Sequence, residues 1–240
     1  MNVKQIMSGL AFLLAVPASG AAMHIAEGFL PLEQAAVWFV GSLPVVVYGA
    51  RKMTIDLQRY PERKLLLGLA AAFLFILSSI KIPSVSGSSS HATGIGLMAI
   101  LFGPSVTSTL TGIVIAFQAL LLAHGGLTTW GANVFSMGVI GAFSSWGFFK
   151  LIRMVRISDP IAVFFAAALG DLVTYGIAAG QLAWAVPDPA GGMSAAYSKF
   201  LAVFAVTQLP LAILEGLLSV AIYKMIQRTI RQGLMHWPGR

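Results

Sequence analysis

The sequence predicts an all-α fold, a polytopic transmembrane helical bundle of about seven membrane segments, one short or broken, behind an N-terminal signal peptide. That expectation rests on composition, on recurring apolar runs and on where the basic residues fall. Of 240 residues, 58% are hydrophobic and only 10% charged, and mean hydropathy is +0.86. A soluble domain carries roughly a quarter of its residues as charges. In water most of this chain would have to be buried at once, and a lipid environment removes that difficulty. Fifteen Lys and Arg against eight Asp and Glu leave a formal charge of +7. The cations flank apolar runs and form no single basic surface, which points to membrane topology and away from nucleic acid. With no cysteine, a disulfide scaffold, a thiolate zinc site and an iron–sulfur cluster are excluded.

Residues 1–22 read as a cleavable secretory signal. Lys4 gives the positive start, Leu10 to Val16 a short apolar stretch, and Pro17 to Ala22 a small-residue exit. Cleavage after Ala22 leaves Met23-His24 as the new terminus, and cleavage after Ala21 makes His24 the third residue. An uncleaved first helix is the alternative. Residues 23–240 then form a single integral membrane domain.

Apolar segments fall at about 32–50, 65–80, 94–103, 105–123, 132–150, 161–180 and 199–226. The third is too short to cross a bilayer alone. It reads as part of a broken or re-entrant helix ended by Gly103-Pro104. Arg51, Lys52, Arg59, Arg63, Lys64, Lys150, Arg153, Arg156, Lys224, Arg228, Arg231 and Arg240 share one side if the seven segments alternate. Only Lys81 and Lys199 fall on the other side of the mature chain. The membrane is then crossed with the mature N-terminus outside and the C-terminus in the cytoplasm. Small residues at 68–72 and 138–141 allow close helix contact.

Two outward-facing stretches carry candidate chemistry. The first runs from Met23 to Pro31 (MHIAEGFLP), and the second is the polar loop Pro83 to Gly94, with His91 inside it. A histidine at the second position of a free terminus chelates by connectivity. The α-amine of Met23, the main-chain nitrogen of His24 and an imidazole nitrogen of His24 close two fused small rings around one metal. A deprotonated amide suits nickel, copper and cobalt and poorly suits magnesium or calcium. His91, on a flexible Ser/Gly loop, is positioned to supply a fourth nitrogen. If His24 is third, the terminal segment supplies four nitrogens without His91.

Residues 23–31, the segment 77–104 (LSSIKIPSVSGSSSHATGIGLMAILFGP) and the segment 127–143 (LTTWGANVFSMGVIGAF) together resemble the CbiM family. These are cobalt-uptake substrate-binding subunits of energy-coupling-factor transporters, with NikM as the close nickel relative. Glu27-Gly28 is similar to the cobalt branch. The resemblance implies that Met23, His24 and His91 hold transported Co2+ (or Ni2+), with no prosthetic group. It departs from the family at Ser89, where Cys is common, and at Ala92, where Pro is. The resemblance also implies a membrane coupling subunit, two ATP-binding subunits and a small accessory membrane protein as partners within the lipid, and a link to cobalamin biosynthesis. The chain has no G-x-x-x-x-G-K of its own, and the expectation is a transporter subunit rather than an enzyme.

Other polar residues stand beside these. Glu27 either neutralises the site or holds the terminal loop. Ser90, Asn133 and Ser136 are candidate donors around the ligand imidazoles. His124, at the outer end of the fourth segment, reads as an interfacial histidine satisfying a helix end, the alternative being a ligand on the metal's way in. His236 reads as a surface residue. Asp171 and Glu215 are intramembrane carboxylates, either hydrogen-bonded structural groups or functional ones. In the second case they would serve cation passage, coupling-subunit contact or an ion-coupled secondary permease. An intramembrane metalloenzyme ranks last, since H-E-x-x-H is absent.

Overall fold

The protein is described by a computed structural model covering residues 24–83 and 89–233. The signal segment 1–22, Met23 and the tail bearing His236 lie outside the described residues. Seven helices lie among those described, each overlapping one of the apolar runs. They are α1 (Leu32–Arg59), α2 (Arg63–Ser79), α3 (Ile95–Phe102), α4 (Pro104–Leu122), α5 (Trp130–Met154), α6 (Asp159–Ala185) and α7 (Gly192–Arg231). All except α2 and α3 are long and apolar enough to cross a membrane; α2 has 17 residues and α3 eight. The helices outrun their apolar runs at the charged ends. In α1 the extension carries Arg51, Lys52 and Arg59, and in α7 it carries Arg228 and Arg231. Hydropathy marks only the dry stretch of such a helix, while the polar turns beyond it keep their backbone hydrogen bonds in water.

The short third segment is a re-entrant half-helix, whose chain turns back at its end so that α3 packs beside α4. Gly103, at φ +86°, ends α3, and Pro104 opens α4 at a position where its missing N–H costs nothing. Six of the eight α3 residues are buried, so this half-helix sits inside the bundle against α5 and α6 and faces little lipid. The described residues depart from all-α just before α3. Ile82–Pro83 (β1) and Ser89–Ser90 (β2) pair as a small antiparallel ribbon before α3. A polar loop entering an apolar bundle must satisfy its backbone groups, and the ribbon does part of that.

Small residues bring the helices together. A Cβ on Gly96 of α3 would sit 2.5 Å from the Ala167 Cα of α6, and one on Gly138 of α5 would sit 3.0 Å from the Thr111 side chain of α4. Gly68, by contrast, faces open space. Within α5, Val134–Gly141 is a π-helical stretch beginning directly after Asn133. Such widened turns recur at functional positions. Gly96→Val should force α3 off α6, because backbone and not a flexible side chain blocks the new atoms. The expected cost is about 1–3 kcal/mol, read as a lowered unfolding midpoint in detergent.

Candidate metal centre

Three imidazoles meet at one end of the bundle. His24, His91 and His124 are 1%, 1% and 3% exposed, and each offers a ring nitrogen within 4.8 Å of the others. Nδ1 of His24 lies 2.7 Å from Nε2 of His91. The ring centroids of His24 and His124 are 4.4 Å apart, and those of His91 and His124 are 5.3 Å apart. His124 therefore does not spend its ring on a helix end. Its backbone N–H closes α4 onto the Gln118 carbonyl, and among the described residues neither ring nitrogen has a partner. The interfacial reading of His124 is corrected on that point.

His24 is placed by its neighbours. Ile25 donates its N–H to Asn133 Oδ1 at 2.7 Å, and Asn133 Nδ2 donates back to the Ile25 carbonyl at 3.1 Å. Thr129 Oγ1 donates to the same carbonyl at 2.6 Å. Asn133 thus grips the peptide beside His24, whereas the sequence suggested an imidazole as its target. Glu27 accepts from the Leu127 N–H at 2.5 Å and from the N–H and hydroxyl of Thr128. It holds the terminal loop, and these donors pull its carboxyl below the ordinary range, the Thr128 hydroxyl most of all. Gly126 makes the approach possible, for a Cβ there would lie 2.5 Å from the Glu27 Cα.

His91 arrives differently. Its N–H donates to the Tyr175 hydroxyl at 2.9 Å, and that hydroxyl donates to the His91 carbonyl at 3.0 Å. Two residues on, Glu215 of α7 accepts from Thr93 N–H (2.5 Å), Thr93 Oγ1 (2.9 Å) and Gly94 N–H (2.9 Å). Ser90 pairs with Thr207 Oγ1 of α7 at 2.7 Å, away from the rings. The described residues on either side of His91 are thus pinned, Ser90 before it and Thr93 and Gly94 after it, while positions 84–88 of the Ser/Gly loop lie outside the described residues. Ser136 bonds back to the carbonyls of Ala132 and Asn133, so it does not orient an imidazole. Asp171 accepts from Gln208.

Burial keeps these imidazoles neutral, with lone pairs available to a cation. Desolvation first, then the neighbouring imidazoles and Lys81, hold His24 well below 6.5. Desolvation likewise lowers His91 to about 4, against the opposing pull of its Nδ1 contact with the Ala92 carbonyl, and lowers His124 to about 3. An unfolded chain would take up protons below its ordinary histidine value, while the folded chain refuses them. Stability should therefore fall as pH drops from about 6.5 towards 4. The metal-free chain should show a lower thermal midpoint at pH 5 than at pH 7, and replacing the three histidines by Asn should flatten that dependence.

Comparison with known proteins agrees with the sequence resemblance. The family model described as the cobalt uptake substrate-specific transmembrane region, CbiM, matches residues 24–232. Cobalt transport protein CbiM 2 of Pelobacter propionicus is 54% identical over 212 residues, covering 88% of this chain and 94% of that protein. Cobalt transport protein CbiM of Moorella thermoacetica is 56% identical over 205 residues, covering 85% and 79%. Among solved structures, a crystal structure of a transition metal transporter superposes with a TM-score of 0.75 at 22% identity, over 86% of this chain and 93% of that one. A truncated transition metal transporter gives 0.73 at 23% identity, over 85% and 99%. At those identities the structural likeness concerns the fold. With its apolar helices and its match across nearly the whole described length, this chain is a membrane protein belonging to the CbiM family.

Proposed function

We propose that the protein captures divalent cobalt at the outer face of the inner membrane as the substrate-binding subunit of an ATP-driven energy-coupling-factor importer. In this reading residues 1–22 are removed, the mature chain starts at Met23 outside, and seven segments, including the folded-back α3–α4 pair, carry it to a cytoplasmic C-terminus. The metal is held by the Met23 amine, the His24 amide and imidazole, and the His91 imidazole.

The observation that carries this is the meeting of His24 Nδ1 with His91 Nε2 at 2.7 Å. Nitrogen ligands about 2.0 Å from a metal and 90° apart are about 2.8 Å from each other. The two rings thus already stand at the spacing of neighbouring corners of a planar site. Nδ1 is also the ring atom that closes a six-membered chelate with the residue's own amide nitrogen. Cobalt is favoured over nickel because the close relatives are named cobalt transport proteins. The membrane coupling subunit, two ATP-binding subunits and a small accessory membrane protein would supply the energy.

Release requires separating ligands that arrive on different elements. His24 comes on the terminal loop held by α5, and His91 on a loop held by Tyr175 of α6 and Glu215 of α7. A movement of α7 imposed by the partners would draw His91 out of the plane. The Glu215 carboxylate is fully engaged by Thr93 and Gly94, which favours this positioning role over ion carriage.

Acetylating the mature terminus should abolish tight cobalt binding about as completely as His24→Ala, measured by titration of the detergent-purified chain. Normal binding by the acetylated chain would refute the amine's part. Glu215→Gln keeps the shape but leaves one loop donor without an acceptor. It should weaken cobalt binding by roughly 10-fold, the lower end of the effect of groups that orient ligands, with the helical content unchanged by circular dichroism.

A further inference from the structure

The planar chelate leaves His124 without a part, although the fold places it with care. Ala123 at φ +46° and Gly125 at φ +80° turn the chain sharply on either side of it. The turn sends its ring into the bundle while its backbone closes α4. A Cβ on Gly125 would approach Asn133 Nδ2 and the His24 side chain at 3.1 and 3.5 Å, so the glycine lets this turn lie directly against the site. A buried imidazole has one donor and one acceptor to satisfy. Among the described residues both nitrogens of His124 go unsatisfied, and what they face is the His24–His91 pair. Its ring stands at 86° to that of His91 and at 59° to that of His24. It is inclined to both in-plane rings.

We infer that His124 is a third imidazole ligand, occupying the apical place above the plane of nitrogens, and that this ligand biases the site towards cobalt(II) over nickel(II). The inference rests on the terminal chelate proposed above. Four nitrogens including a deprotonated amide form a strong planar field, the geometry nickel(II) prefers. In that field the eight d electrons of nickel(II) fill the orbital directed along the axis, and a fifth donor is repelled. Cobalt(II) has one electron fewer. Its axial orbital is half-filled and accepts a single apical nitrogen. A fixed, buried, neutral imidazole at that point therefore strengthens cobalt binding and gives nickel nothing.

The test uses the full-length mature chain in detergent under anaerobic conditions, with cobalt(II) and nickel(II) titrated separately into wild type, His124→Ala and His124→Asn. Both variants should lose at least roughly 10-fold in cobalt affinity while nickel affinity stays within about twofold, the range expected when no nickel bond is removed. Electron paramagnetic resonance of the cobalt-loaded chain adds a readout that a structural role would not move. Wild type should show hyperfine coupling to one axial nitrogen that changes when histidine is 15N-labelled, and that coupling should vanish in His124→Ala. An unchanged cobalt-to-nickel ratio, an equal loss of both metals, or axial 15N-histidine coupling persisting in His124→Ala would each overturn the inference. In those cases wild-type metal binding leaves the terminal chelate standing. A wild-type chain that takes up neither metal would overturn the chelate and the apical ligand together.

Discussion

A polar, non-helical segment is brought into the dry end of a bundle, and its peptide groups must be satisfied there. The pairing of Asn133 with the Ile25 peptide meets that requirement. One carboxamide takes the N–H and returns a donor to the carbonyl, so the residue following His24 is held as though by a neighbouring strand. Each such bond contributes only about 0.5–1.5 kcal/mol, but leaving a buried N–H or carbonyl unpaired costs about 1–3 kcal/mol. The segment is therefore confined to the one path where Asn133, Thr129 and Glu27 can all engage it. His24 faces His91 because Ile25 is fixed.

The second arm of the site obeys the same constraint through different chemistry. A carboxylate such as Glu215 is costly inside a membrane protein unless donors surround it, and the Thr93–Gly94 turn provides three. The arrangement ties the loop carrying His91 to the long helix α7, whose far end bears Lys224, Arg228 and Arg231. The two arms of the centre thus hang on different helices, one on α5 and the other on α6 and α7.

Much of this was legible in the chain itself. The seven apolar runs coincide with helices because burial and lipid both demand apolar continuity, and Gly103-Pro104 announced the break between α3 and α4. His24 and His91 stood out as histidines in a chain that has only four. The inward turn of His124 was not legible, because proximity to a helix end is visible in sequence, whereas a ring turned inward by Ala123 and Gly125 is a matter of backbone dihedrals. The consecutive glycines after it were the available signal, since Gly126 permits contact with Glu27 that a side chain would block. Asn133 and Ser90 are legible in the sequence as polar groups near the ligands. Their partners, a peptide and a threonine more than 100 residues away, depend on long-range packing that no local pattern encodes.

In the proposed site a free Met23 terminus and converging imidazoles together hold the transported ion. Intact-mass spectrometry of the membrane-purified chain, under conditions that retain bound metal, tests this most directly. The expected species is a polypeptide beginning at Met23 and carrying one cobalt, with the metal lost when His24 is replaced. A cobalt-loaded chain that begins upstream, leaving the Met23 nitrogen within a peptide bond, would contradict it.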